Sequence, residues 1–218
     1  MDIKIIDLYD LSHTIANNYL SNFKYPFEAL EGISDLIVSL GRSLDKNEYI
    51  EIKDNVWVHK SANIYSTAWI NAPCIIGANT EIRHCAFIRG SALVGNNCVI
   101  GNSVELKNVI IFDNCEVPHF NYVGDSILGY KAHMGAGSIT SNVKADRKNV
   151  LIKGDTIIET NRKKVGAFLG DHVEVGCNSV LNPGSVVGKN TNIYPLSNVR
   201  GVIPSNSIYK NGIIVEKK

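Results

Sequence analysis

The chain has 218 residues, a formal net charge of +1, and is 20% charged and 8% aromatic. Such balance excludes any general case for nucleic-acid or membrane-surface binding, and no apolar stretch is long enough to span a bilayer. The opening MDIKIIDLYD has no signal-peptide character, so the cytoplasm is the expected compartment.

Residues 1–52 form the first unit. Residues 3–8 suit a strand, a short helix is expected from Ser12, and Phe27 to Leu40 places Leu30, Ile33, Ile37 and Leu40 at helical spacing between Pro26 and Gly41. The unit is expected to serve as a cap or docking element that covers the first coil of a repeat beginning near Val58.

Residues 53–205 carry a six-residue beat. An apolar side chain recurs without interruption at Val58, Ile64, Ile70, Ile76, Ile82, Ile88, Val94, Ile100, Leu106 and Phe112, and a small residue such as Ala62, Ala68, Cys74, Thr80, Ala86, Ala92 or Cys98 usually follows four positions later. This is the signature of a hexapeptide β-solenoid, an all-β parallel β-helix in which three hexads make one coil. Residues 18 apart then stack at about 4.8 Å. The beat resumes at Leu128, Met134 and Thr140 and again from Leu169 through Val175, Leu181, Val187 and Ile193 to Val199. Breaks at about 118–128 and 143–168 are expected to be loops, the second containing a projecting hairpin with a two-residue turn at Gly154-Asp155. Residues 206–218 should form a terminal hairpin about Asn211-Gly212. The five cysteines, Cys74, Cys85, Cys98, Cys115 and Cys177, include no C-x-x-C pair and two fall on inward positions. Reduced thiols are therefore expected, with neither disulfides nor a metal site.

Two features point to chemistry. Arg89 and Lys107 both follow an apolar beat residue directly and lie 18 apart, so they stack on one outer face. At a separation near 5 Å and an effective dielectric near 20 their repulsion is roughly 3 kcal/mol, which a phosphate between them would relieve; pairing with acids such as Glu105 is the plainer alternative. The first break, PHFNYVGDSILGYKAHMGAGSITSN, gathers His119, Tyr122 and His133 among glycines, and His119 is a natural general base.

The stretch from Arg89 to Asn142, reading VELK at 104–107, PHFNYVGD at 118–125 and GAGSITSN at 135–142, closely resembles the acetyltransferase domain of the bifunctional N-acetylglucosamine-1-phosphate uridyltransferase/glucosamine-1-phosphate acetyltransferases. That resemblance, which covers roughly residues 58–205, implies a left-handed helix, assembly as a homotrimer, and acetyl-CoA as co-substrate with no metal. It implies His119 as base, Arg89 and Lys107 on the substrate phosphate, and Tyr122, His133 and Asn142 on the sugar. The small residues lining the pantetheine groove would fall near Cys177 and Pro195, with Lys148, Lys164 and Arg200 as candidates for the coenzyme phosphates. His133 replaces an asparagine of the family, and Asn142-Val143 replaces its Asn-Tyr. The hairpin, the RKK at 162–164 and VGAFLGDHVEVG look more like the acetyltransferase region of archaeal sugar-1-phosphate nucleotidylyltransferases than like the bacterial enzyme. With some 50 residues before the solenoid, uridylyl transfer is not expected of this chain. The expected activity is N-acetylation of a hexosamine-1-phosphate. Another amino sugar or nucleotide-linked amine as acceptor, or a non-catalytic sugar-phosphate-binding trimer, is the alternative; a zinc carbonic anhydrase is disfavoured because no H-x-x-x-x-H pair occurs.

Overall fold

In the computed structural model, which describes residues 3–217, the chain winds into a three-sided parallel solenoid built from a 14-stranded and a 9-stranded sheet. Each hexad places one apolar residue inward and then turns. Three positions after the beat residue stand Asn79, Asn97, Ser103, Asn114, Asn178 and Asn190, all left-handed with φ between 54° and 59°. Asparagine tolerates that region better than other residues with a Cβ, so it serves as the corner. The small residue that follows, Thr80, Cys98, Cys115, Ser179 or Thr191, is buried against the axis.

Three flanks result. The first holds strands such as Cys74–Ile76, Ala92–Val94 and Ala167–Leu169; the second Glu116–His119, His133–Met134 and Glu174–Val175; the third Phe87–Ile88, Ile139–Thr140 and Val180–Leu181. Two long strands, Glu105–Ile111 and Tyr122–Leu128, run from the third flank onto the first.

Those two strands correct the expected loop at 118–128. Phe87 lies beside Glu105, 18 residues on, but Ala92 lies beside Val109, only 17 on, and the shorter interval persists from Glu105 to Tyr122 and from Tyr122 to Ile139. One residue is missing at a corner, and the strand bends through Asn108 (φ 55°) or Asp125 (φ 49°) without interruption. Phe112 is therefore not a beat residue: Ile111 pairs with Val94, and Phe112 is buried against Tyr9, ring centroids 5.1 Å apart.

The insertion after Thr140 also differs from expectation. Leu151–Lys153 and Ile157–Glu159 pair antiparallel with Lys153 opposite Ile157, so the turn has three residues, 154–156. It does not project freely, because Val150, Ile152, Thr160 and Val165 are buried and the Leu151 and Lys153 carbonyls lie against Gly184 and Gly201 at the upper corners. The terminal hairpin agrees with the sequence: Ser207–Lys210 pairs with Ile213–Glu216 about Asn211 and Gly212, both left-handed.

Residues 3–48 fold into short helices and turns with no strand. Residues 3–8 include the helical turn Ile5–Leu8 rather than a strand; Leu11–His13 is a short 3-10 turn, Asn17–Leu20 another helical turn, Pro26–Leu30 a 3-10 turn and Ile33–Ser43 the main helix. They do not close off the first coil. They lie along the first flank, whose outward residues Ile75, Leu93, Ile110, Ile127 and Phe168 are apolar and at most 1% exposed beneath them. The Leu8 carbonyl accepts from Asp171 N–H at 3.0 Å, while Gly41 packs on the Trp57 ring, so the segment spans most of the solenoid's length. At the start of the solenoid the edge is covered instead by Tyr49–Lys53, antiparallel to Val56–His59.

Candidate functional site

Two patches meet across the corner at Phe120 and Asn121. His119 is the last residue of Glu116–His119 on the second flank, and Tyr122 opens the strand on the third. His119 thus ends a strand rather than standing in a loop. Asn121 between them is 3% exposed. Its side-chain Oδ1 accepts the His119 N–H at 3.0 Å, and its side-chain NH₂ donates to the carbonyls of Gly135 (2.9 Å) and Ser138 (3.0 Å). The His119 residue is exposed, and its ring makes no hydrogen bond among the described residues.

On the second flank a trough begins at His119. Its nearer part, about 410 Å³, is lined by Arg83, Glu116, His119, His133, Gly135 and Cys177; a farther part of about 280 Å³ continues past His133 and Cys177 to Tyr194 and Pro195. The floor depends on two glycines. A Cβ on Gly135 would stand 2.7 Å from the Cys177 nitrogen, and one on Gly176 would stand 2.4 Å from the Pro195 nitrogen. His133 Nδ1 lies 2.8 Å from Glu174 Oε2. The trough therefore gathers four of the residues singled out from sequence: His119, His133, Cys177 and Pro195.

On the third flank Lys107 lies beside Arg89, as the 18-residue interval requires, with Arg89 N–H donating to the Leu106 carbonyl at 2.8 Å. The bare repulsion expected between them is absent. Arg89 Nη1 binds Glu105 Oε1 at 2.8 Å, and Lys107 Nζ binds Asp125 Oδ1 at 3.0 Å. The Glu105 hydrogen bond raises the Arg89 pKa further, and burial followed by the Asp125 charge raises that of Tyr122. Asn142 Nδ2 joins Tyr122 Oη (3.1 Å) to Asp125 Oδ2 (2.6 Å). Lys107 and Asp125 also line a basic groove of about 620 Å³ with Arg162, Lys163 and Lys164, between the solenoid and the N-terminal segment.

Lys164 is thus near Lys107 and away from the trough, while Lys148 is exposed in the insertion and Arg200 is exposed beyond Val199 on the third flank. None of these three lines the trough within the chain. The sequence reading missed Asn121 and Asp125, though both stand inside PHFNYVGD.

No family model matches the chain. It is 36% identical over 148 residues to a bifunctional sugar-1-phosphate nucleotidylyltransferase/acetyltransferase of Sulfurisphaera tokodaii, covering 67% of this chain and 37% of that protein. It is 30% identical over 222 residues to the bifunctional protein GlmU of Methanococcus vannielii, covering 99% of this chain and 53% of the relative. The chain spans about half the length, or less, of these relatives. Among solved structures, the polysialic-acid-specific acetyltransferase NeuO matches with TM-score 0.48 at 15% identity over 72% of this chain and 80% of that one. The N-acyltransferase AntD of Bacillus cereus, solved with dTDP and coenzyme A, matches with TM-score 0.38 at 16% identity over 74% and 80%.

The hexapeptide coils and these relatives together place the chain in a class, the hexapeptide-repeat acyltransferases. Within that class the chain is a relative of the acetyltransferase portion of the bifunctional GlmU proteins.

Proposed function

We propose that the protein transfers an acetyl group from acetyl-CoA to the amino group of a hexosamine-1-phosphate. The observation that carries the reading is the corner itself, which sets the His119 imidazole between a trough on one flank and Tyr122, Arg89 and Lys107 on the next. The trough suits an extended pantetheine, because its glycine floor admits a chain close to the backbone and Cys177 and Pro195 supply small walls. The acceptor sits across the corner, its hydroxyls toward Tyr122 and Asn142 and its phosphate toward Arg89 and Lys107. The amine nitrogen attacks the thioester carbon, His119 takes the amine proton, and the carbon–sulfur bond then breaks with the proton passing to the thiolate. No base stronger than imidazole is needed. We further propose that the working unit is a homotrimer and that its site lies within reach of a neighbouring subunit, which would bring Lys148, Lys164 or Arg200 to the coenzyme.

One observation favours a second reading. Both cations already hold carboxylates, so an acceptor whose phosphates lie away from Arg89 and Lys107, such as an amino sugar held through the phosphates of a nucleotide, meets less competition from Glu105 and Asp125. Thiol release from acetyl-CoA, followed with glucosamine-1-phosphate, galactosamine-1-phosphate and a nucleotide-linked amino sugar, separates the two. Turnover with either sugar phosphate supports the first; turnover confined to the nucleotide-linked amine replaces it with the second. Silence with every acceptor refutes both.

A further inference from the structure

Asp125 is 4% exposed and left-handed, and both of its oxygens are occupied. Oδ1 accepts from Lys107 Nζ at 3.0 Å and from Asn108 Nδ2 at 2.9 Å; Oδ2 accepts from Asn142 Nδ2 at 2.6 Å and from Lys107 Nζ at 3.2 Å. Lys107 alone would satisfy the rule that a buried charge be paired. The two amides do something else, which is to carry direction outward from the carboxylate. Asn108 donates also to the Leu30 carbonyl at 3.1 Å, tying the corner to the N-terminal segment. Asn142 donates also to the Tyr122 hydroxyl oxygen at 3.1 Å.

The consequence follows from donor and acceptor counting. An ionised carboxylate can only accept, so Asp125 dictates that Asn142 turns its NH₂ and not its carbonyl toward the pair. One hydrogen goes to Asp125 and the other to Tyr122, so the phenol oxygen accepts from inside and its own O–H must donate elsewhere. We propose that Asp125 is a positioning residue that, through Asn142, sets Tyr122 as a hydrogen-bond donor to an oxygen of the acceptor substrate while holding the Lys107 ammonium at the same site. This rests on the amino-sugar-phosphate reading above and adds the residue that orients its binding groups.

The test is a double-mutant cycle on thiol release with the preferred sugar phosphate. Asp125→Asn keeps size and tolerance of the left-handed corner, but lets the amide of Asn142 flip so that Tyr122 donates inward. Tyr122→Phe in the wild type and Asp125→Asn should each lower kcat about tenfold with the KM for acetyl-CoA unchanged, and their kcat losses should not multiply in the combination, the loosened Lys107 showing instead as a raised KM for the sugar phosphate wherever Asp125→Asn is present. Additive losses would overturn the proposal, since a merely structural Asp125 would not share its effect with the phenol. If Asp125→Asn does not melt as a folded protein, Asn142→Ala cuts the same relay and must show the same non-additivity with Tyr122→Phe. A wild type inactive on every acceptor refutes the functional reading and this one with it; an active wild type with an additive cycle refutes this one alone.

Discussion

Asn121→Ala isolates what holds the proposed base in place. The Asn121 amide makes four hydrogen bonds, to the His119 N–H, the carbonyls of Gly135 and Ser138, and the Ser138 hydroxyl at 3.1 Å. After truncation the Gly135 carbonyl keeps the Ser138 hydroxyl at 2.7 Å, which leaves the His119 N–H and the Ser138 carbonyl without their side-chain partner. At about 1–3 kcal/mol for each stranded group, the expected loss is on the order of 3 kcal/mol. For a chain of this size that is a fall in Tm of about 6–12 °C. The cut strikes the backbone that aims His119, so kcat should also fall about 10- to 100-fold, because misplacing a catalytic group by about 1 Å costs that much. Calorimetry gives the first quantity and thiol release from acetyl-CoA the second. Asn102→Ala is the control: its amide donates at 3.2 Å to the His84 carbonyl in an exposed setting, and its effect should stay within about 0.5 kcal/mol. A Tm within about 2 °C of wild type would refute the bond counting. A normal kcat in a destabilised variant would refute the idea that this corner aims the base.

Leu93→Ala should cost about 2–4 kcal/mol in urea unfolding, whereas Phe87→Ala should cost under about 1 kcal/mol; both point outward, but Leu93 is 1% exposed beneath the helical segment and Phe87 is 39% exposed. Equal costs would mean that the segment does not cover the first flank in solution. Among the thiols, Cys85 and Cys177 are exposed, while burial pushes Cys74 and Cys98 up to about 12 and Cys115 well above its usual value; native protein at pH 8 should therefore react with an aromatic disulfide at two cysteines and denatured protein at five. A folded-state pKa raised above the free thiol value near 9 favours the folded state fully below that pH and loses its contribution as pH climbs toward 12, so the urea midpoint should fall across this window. Replacing both Cys74 and Cys98 by Ala should flatten that fall, and an unchanged slope would assign it to other groups. His119→Ala should abolish acetyl transfer with little change in Tm, since the residue is exposed and its ring is unbonded among the described residues; residual activity above about 10% of wild type would place the base elsewhere.

The solenoid was legible because its physics is periodic: one apolar residue per hexad must point inward, and from Val58 through Leu106 all are buried except Ile64 of the first coil, which is half-buried. What periodicity could not show was a coil that loses a residue without losing its strand. A single deletion at Asn108 and another at Asp125 shift every later beat by one, so the pattern read as a break at 118–128 although hydrogen bonding continues through Tyr122–Leu128. The position of the helical segment was also encoded and overlooked. On the first flank the residue between two inward ones should be polar if it faced water, yet the sequence places Ile75, Leu93, Ile110, Ile127 and Phe168 there, and only a covering element explains them.

The candidate site was half legible for a related reason. Interval counting found the stacked pair Arg89 and Lys107, because stacking depends on sequence distance alone. The sequence also offers Glu105 as a partner for the pair, but it does not show that Asp125 is a buried corner carboxylate, because the coil there is one residue short and Gly124 stands beside Lys107. Had the coil kept 18 residues, position 107 would face position 125 on the next rung, and its neighbour would be a strand residue pointing outward rather than a corner carboxylate turned to meet it. The loss of one residue therefore does two things at once: it turns Asp125 into a buried acceptor, and it brings Asn108, Asn142 and Lys107 to the same carboxylate. A shortened coil that only saved length would have no need of an acid at the bend. One that ends in a filled carboxylate, with a phenol at the far end of its hydrogen-bond chain, is the arrangement that the proposed positioning role of Asp125 requires.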